Sequence, residues 1–277
     1  MKPTDIRLIA MDMDGTLLNS HQQISAGNAR VLKKASEAGV KLAICSGRMA
    51  ADVAMFALEN GLDDCALLGT NGTHCWLNPE GVVFADHVFS SELVQAMRNV
   101  LEPAKVLFTF FAQETAVVFN DFEHTTDKWW ASHRDGQHPL QVVHAENCKD
   151  ISAYRVNKVV ISTDDLTLLG QIRRQLEAIG GLDVSSSWVN NLEIMPLGFN
   201  KGSAVAELAA QLGLNASQVM TFGDYDNDLP MIEWAGWGVA MGNANEKIKG
   251  AARLVTLTND EDGVGKAIEQ YVLNNGN

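Results

Sequence analysis

The chain has 277 residues, 46% of them hydrophobic, enough for one large or two modest globular domains with a sizeable core. A formal net charge of -13 sets nucleic acid and anionic membrane surfaces aside as partners, because both are polyanions. Four cysteines without a Cys-x-x-Cys pair, and seven histidines without zinc spacing, are read as reduced thiols and scattered side chains of a cytoplasmic protein.

The first apolar run, Ile6–Met11, is too short for a signal-peptide core or a membrane span and has the length of a buried strand. A helix is expected from Ser25, a suitable N-cap, to Ala38, with Gly39 ending it. Val40–Cys45 reads as a second strand, Met49–Asn60 as a helix closed by Gly61, and Cys65–Leu68 as a third strand. The same rhythm returns after Asn200: helix Lys201–Leu212 closed by Gly213, strand Val219–Phe222, helix Asp226–Trp234, strand Gly238–Met241, helix Asn245–Ala252 and a last helix near Gly263–Leu273. Such alternation predicts an α/β fold with a doubly wound, Rossmann-like parallel sheet. Between these halves lies a stretch with strands of its own (Val106–Ala112, Ala116–Phe119, Asn157–Ser162) and helices Ser91–Leu101 and Asp165–Ile179. It reads as an inserted α/β domain, which divides the chain into core residues 1–83, insert 84–191 and core residues 192–277.

Four short segments fall at strand ends or helix starts on one edge of the expected sheet, where open α/β sheets bind ligands. Asp12-Met13-Asp14-Gly15-Thr16 places two carboxylates where the first strand opens, although Asp and Gly are also ordinary turn residues. Ser46-Gly47-Arg48 offers a hydroxyl and backbone N–H groups to a phosphate, although Ser46 taken alone reads better as a plain helix cap. Lys201 opens a helix, a position that disfavours a cation unless an anion is held nearby; an indifferent surface lysine is the plain alternative. Gly223-Asp224-Tyr225-Asp226-Asn227-Asp228 crowds acidic groups that a hard divalent cation would reconcile, against the simpler reading of a solvated turn capped by Asp226.

Taken together the four segments resemble the motifs of the haloacid-dehalogenase-like phosphatase superfamily, in its order. Thr70-Asn71-Gly72, Glu193-Ile194-Met195-Pro196 with Asn200-Lys201-Gly202, and Val239-Ala240-Met241-Gly242-Asn243-Ala244 extend the resemblance to its Cof-type subclass (IIB) of sugar-phosphate and cofactor phosphatases with a large α/β cap. That resemblance implies Asp12 as nucleophile, Asp14 as general acid and then base, and Ser46, Gly47 and Lys201 as phosphate-binding. It implies Mg²⁺ held by Asp12, the backbone carbonyl of Asp14 and Asp224, with Asp228 and Asn227 in support. Arg48, Asn71, Asn200, Asn227 and the segment Trp188–Glu193 are candidate substrate contacts. For Trp129, Trp130, His133 and Arg134, recognition and plain packing stand level. The expected activity is hydrolysis of small phosphorylated metabolites. A phosphomutase or phosphotransferase using the same aspartate is the alternative, followed by a non-catalytic binding protein; a dehalogenase suits the acidic cluster poorly.

Overall fold

The computed structural model describes residues 5–113, 115–121 and 141–276, and every count or absence below refers to these. Trp129, Trp130, His133 and Arg134 lie outside the described residues. The chain forms two compact units, Met1–Ala85 with Asn200–Asn277, and Asp86–Phe199.

The first unit begins with β1 (Leu8–Met11), α1 (Ala26–Glu37), β2 (Lys41–Cys45), α2 (Ala50–Glu59), β3 (Ala66–Gly69), β4 (His74–Trp76) and β5 (Val83–Asp86). Ser25 caps α1 as expected, its hydroxyl accepting the Asn28 N–H at 3.0 Å. The second unit holds α3 (Ser91–Leu101), β6 (Leu107–Ala112), β7 (Thr115–Phe119), β8 (Gln141–His144), β9 (Lys158–Ser162), α4 (Leu166–Ile179), β10 (Leu182–Ser185) and β11 (Asn191–Pro196). The chain then returns with α5 (Lys201–Gln211), β12 (Val219–Gly223), α6 (Leu229–Trp234), β13 (Trp237–Ala240), α7 (Glu246–Ala251), β14 (Leu254–Val255) and α8 (Gly263–Tyr271).

The sheet of the first unit runs β14-β13-β12-β1-β2-β3-β4-β5, parallel from β14 to β3. Next to β3, β4 turns back and runs antiparallel to it. Its central strands are apolar on both sides because both faces are covered. In β1, Ile9 and Met11 join a cluster with Leu32, Val53, Ile248 and Ile268, while Leu8 and Ala10 pack with Val205, Leu208 and Met231. Each fully buried aliphatic side chain of this kind contributes about 1.5–3 kcal/mol.

In the second unit the sheet order is β10-β11-β9-β6-β7-β8, antiparallel except for β7 beside β8. Phe108, Phe110, Val159, Ile161, Leu192 and Ile194 turn to α3 and α4, meeting Met97, Leu101, Ile172 and Leu176. The alternation then sends Lys158 and Glu193 to the opposite face.

Three sequence expectations change. The second junction falls at Asn200, because Asn191–Pro196 is not a return to the first unit but β11, paired with β9 and β10. The first falls after Ala85. The helix expected over Asp226–Trp234 is a 3₁₀ turn, Asp226–Asp228, followed by α6 with Pro230 in its first turn, where a missing N–H costs nothing. Among the described residues no helix is long and apolar enough to cross a membrane. All four cysteines are free thiols.

Candidate active site

The parallel neighbours β12, β1, β2 and β3 end at one edge, and each end carries one of the segments singled out in the sequence. The chain proceeds from β1 outward to β2 and β3, then returns on the other side of β1 as β12. A crevice opens where strand order reverses in this way. Asp12 follows β1 directly, its N–H donating to the Phe222 carbonyl at 3.0 Å, and Asp224 follows β12. The two carboxylates therefore straddle the switch point.

Lys201 is fully buried, so the reading of an indifferent surface lysine does not hold. Its Nζ donates to Asp12 Oδ1 and Asp228 Oδ1, each at 2.6 Å. The second oxygen of Asp228 accepts the backbone N–H groups of Asp224 (2.8 Å) and Tyr225 (3.1 Å), which folds the acidic loop around its own last carboxylate. The Thr16 hydroxyl donates to Asp224 Oδ1 at 2.8 Å. Gly15 allows that approach: at φ +80°, a Cβ there would stand 2.5 Å from Asp224 Oδ2.

Three carboxylates, of Asp12, Asp224 and Asp228, thus lie with oxygens within 4.8 Å of one another and share one ammonium. The imbalance appears in their protonation. Burial, then the charge of Asp228, pushes the Asp12 carboxyl well above its ordinary value. The same causes push Asp224 up to about 7. Burial works against the Lys201 cation, but Asp12 and Asp228 outweigh it and hold the lysine protonated beyond its usual range. A buried set of hard oxygen donors with surplus negative charge fits a divalent cation such as Mg²⁺.

The Asp14 side chain lies apart from that set. Arg48 grips it with a forked pair, Nε to Oδ2 at 3.0 Å and Nη2 to Oδ1 at 2.5 Å, and also reaches Gln22. Ser46 is buried after β2, its Oγ accepting the Arg48 N–H at 3.1 Å with Gly47 between them. Asn71 and Asn227 are both buried and meet amide to amide at 3.4 Å. Asn200, expected at the substrate, has its amide oxygen committed to capping α5, accepting the Gly202 and Ser203 N–H groups at 3.0 and 3.1 Å. Asp226 faces away from the acidic set, toward Asn245 (3.1 Å) and Lys247 (3.2 Å), and its side chain caps no helix. Of Trp188–Glu193, residues 188–190 lie in the connection between β10 and β11 and 191–193 in β11 itself; Asn191 Oδ1 accepts the Ser187 and Trp188 N–H groups.

Sequence reasoning gave no role to Thr16 or Asn243. Asn243 Nδ2 holds the Gly15 carbonyl at 2.8 Å and fixes the turn after Asp14. Both lie in quoted motif stretches, so the signal was present without the geometry.

The model of the haloacid dehalogenase-like hydrolase family matches residues 9–268. The chain belongs to that family. This haloacid dehalogenase-like hydrolase is 32% identical to the 5-amino-6-(5-phospho-D-ribitylamino)uracil phosphatase YcsE of Bacillus subtilis, over 97% of each chain. It is 29% identical to the pyridoxal phosphate phosphatase YbhA of Escherichia coli, over 96% of this chain and 99% of the relative. A solved haloacid dehalogenase-like hydrolase from Bacteroides thetaiotaomicron superposes with a TM-score of 0.81 at 30% identity, covering 96% of this chain and 99% of that one. The α/β fold with its inserted second unit is thus a family property, and the relatives are phosphatases acting as enzymes of this hydrolase class.

Proposed function

We propose that this hydrolase is a Mg²⁺-dependent phosphatase that removes a phosphoryl group from small phosphorylated metabolites through an aspartyl-phosphate on Asp12. The observation that carries the reading is the fully buried Lys201 bridging Asp12 and Asp228 at the sheet's switch point. A structural lysine there would need no third carboxylate; Asp224 makes the group one cation short.

A carboxylate approaching a phosphate dianion faces strong repulsion, so positive charge must be concentrated at the site. Lys201 supplies one part, steering an oxygen of Asp12 and neutralising equatorial charge on the transferring group. Asp12, Asp224, Asp228 and the backbone carbonyl of Asp14 would hold Mg²⁺, which supplies Lewis-acid polarisation of the phosphoryl oxygens. Ser46 and the N–H of Gly47 would bind those oxygens at the end of β2. An Asp12 oxygen bonds to phosphorus as the P–O bond to the alcohol breaks, and Asp14 gives its proton to the departing oxygen. Asp14 then takes a proton from water, whose oxygen displaces Asp12 and yields inorganic phosphate. For Asp14 to act, its carboxyl must leave the Arg48 fork, which frees the guanidinium for the substrate's phosphate or a neighbouring anionic group.

The names of the relatives support a sugar-phosphate or cofactor-phosphate substrate: one acts on a phosphoribityl compound, another on pyridoxal phosphate. The test is inorganic phosphate release from sugar phosphates, nucleotides and pyridoxal 5′-phosphate with Mg²⁺ or EDTA. Release with Mg²⁺ and its loss with EDTA are expected. Transfer of the group to a second sugar hydroxyl without free phosphate would favour the phosphotransferase reading instead.

A further inference from the structure

Three consecutive residues after β3 have left-handed backbones: Thr70 (φ 49°), Asn71 (φ 57°) and Gly72 (φ 90°). Only the glycine adopts this region at no cost, and a β-branched threonine there is an outlier. Strain of this kind persists where the surroundings over-determine it, and it gathers at functional sites.

The surroundings are the other site segments. The Thr70 N–H donates to the Arg48 carbonyl at 2.7 Å, and the Asn71 N–H donates to the Ser46 carbonyl at 2.9 Å. Both ends of the Ser46-Gly47-Arg48 segment are therefore pinned to the turn. Gly72 touches the start of α5: a Cβ on it would stand 2.7 Å from the Asn200 carbonyl oxygen and 2.6 Å from Ala204 Cβ. That close approach seats the residue before Lys201. Asn71, fully buried, accepts from Asn227 Nδ2 at 3.4 Å, and Asn227 directly precedes the Asp228 that holds Lys201. The Thr73 hydroxyl, bonded to both the Thr70 carbonyl (2.8 Å) and the Thr70 hydroxyl (2.9 Å), locks the turn from behind. One three-residue turn thus touches the Ser46 segment, the Lys201 helix and the acidic loop.

We propose that Thr70–Asn71–Gly72 is the positioning element of the phosphoryl-transfer site, with the Asn71 amide orienting Asn227 toward the transferring group. The proposal rests on the phosphatase reading above and adds a residue that acts through its neighbours. Asn71 accepts from an amide, so the Asn227 carbonyl end is fixed in direction and its placement beside the loop becomes reproducible from turnover to turnover. Interactions realised in the transition state affect kcat, and ground-state binding is changed much less.

Two substitutions separate the amide from the backbone. Asn71→Gly keeps a left-handed residue without strain and deletes the amide; Asn71→Ala deletes the amide and leaves a Cβ in the left-handed region. The measurements are kcat and KM on the best ester, the affinity for orthovanadate with saturating Mg²⁺, and the melting temperature. For Asn71→Gly we expect kcat to fall at least about tenfold and vanadate affinity to weaken alike, with KM within about threefold. Its melting temperature falls by a few degrees, as the loss of one buried hydrogen bond requires, and Asn71→Ala melts lower still. Wild-type kcat and vanadate affinity in Asn71→Gly would overturn the proposal, as would a loss of activity that tracks an equal loss of melting temperature. A wild type that hydrolyses no ester would instead sink the phosphatase reading, and the vanadate and melting measurements would still decide the role of the turn.

Discussion

Among the described residues each unit buries one lysine against carboxylates, and the two arrangements differ in balance. In the second unit Lys158 meets Glu193 at 2.7 Å, with side chains 3% and 6% exposed. They are diagonal neighbours on β9 and β11, on the sheet face away from α3 and α4. In the first unit Lys201 meets Asp12 and Asp228 at 2.6 Å each, and Asp224 adds a third carboxylate without a second cation. In the Lys158–Glu193 pair one ammonium meets one carboxylate, so the pair is balanced in charge. The unbalanced group holds surplus negative charge in a place where water does not screen it, and its raised carboxyls report that charge. Burial of charge is thus common to both units, and stoichiometry separates structure from chemistry.

The same substitution in both places breaks that comparison open. Lys201→Met should lower kcat by about 10²–10³-fold, since it removes a donor aimed at developing charge. Phosphate release under saturating Mg²⁺ measures it, and melting with and without Mg²⁺ should show the variant more dependent on the metal than wild type. Lys158→Met should leave kcat on the smallest phosphate ester near wild type but cost about 3–5 kcal/mol, because it strands Glu193 in the interior. The double variant Lys158→Met with Glu193→Leu should recover most of that stability in urea unfolding. A double variant as unstable as the single one would show that the pair is more than a self-balanced contact.

A smaller effect follows from protonation. The Asp224 carboxyl is at about 7 when folded against an ordinary 3.8, so between these values the folded state binds the extra proton. Its contribution to stability is therefore complete below about 3.8 and is lost as pH rises through about 7. Asp12 shifts in the same direction. The metal-free protein should lose melting temperature across this window, and the gain on adding Mg²⁺ should be larger at pH 8 than at pH 5. Scanning calorimetry in EDTA and in Mg²⁺ tests it; a Mg²⁺ gain that does not change with pH would count against these carboxyls as the metal's ligands.

Much of the first unit was legible because its signals are local. The apolar runs that became β1, β2 and β12 lie whole within a few residues; Ser25 caps the helix that its identity announced, and Asp165 and Asn245, read as first residues of helices, cap them. The acidic loop and Asp12–Thr16 were visible as chemistry, since carboxylates so crowded need a reason. What was hidden depends on distant parts of the chain. The burial of Lys201 is set by residues 189 and 27 positions away. The Lys158–Glu193 contact spans 35 positions and exists only through the register of β9 with β11. The grip of Arg48 on Asp14, across 34 positions, gave no sign in either motif. Asn200 was a candidate substrate contact, and that its amide oxygen caps the helix start became visible only in the structure. The short strands β4, β10 and β11 carry polar residues on one side and lacked the continuous apolar run that marked the central sheet.

In the proposed reaction Asp12 is the group that takes the phosphoryl. The most direct measurement is to mix the enzyme with its best ester and Mg²⁺, quench with borohydride during turnover, and map the product by peptide mass spectrometry. An acyl phosphate is reduced to an alcohol, so the account predicts homoserine at position 12, formed only with both ester and Mg²⁺ present and absent from Asp12→Asn, which should release no phosphate. Phosphate release by Asp12→Asn at a rate near wild type, or reduction at another carboxylate with Asp12 intact, would contradict it.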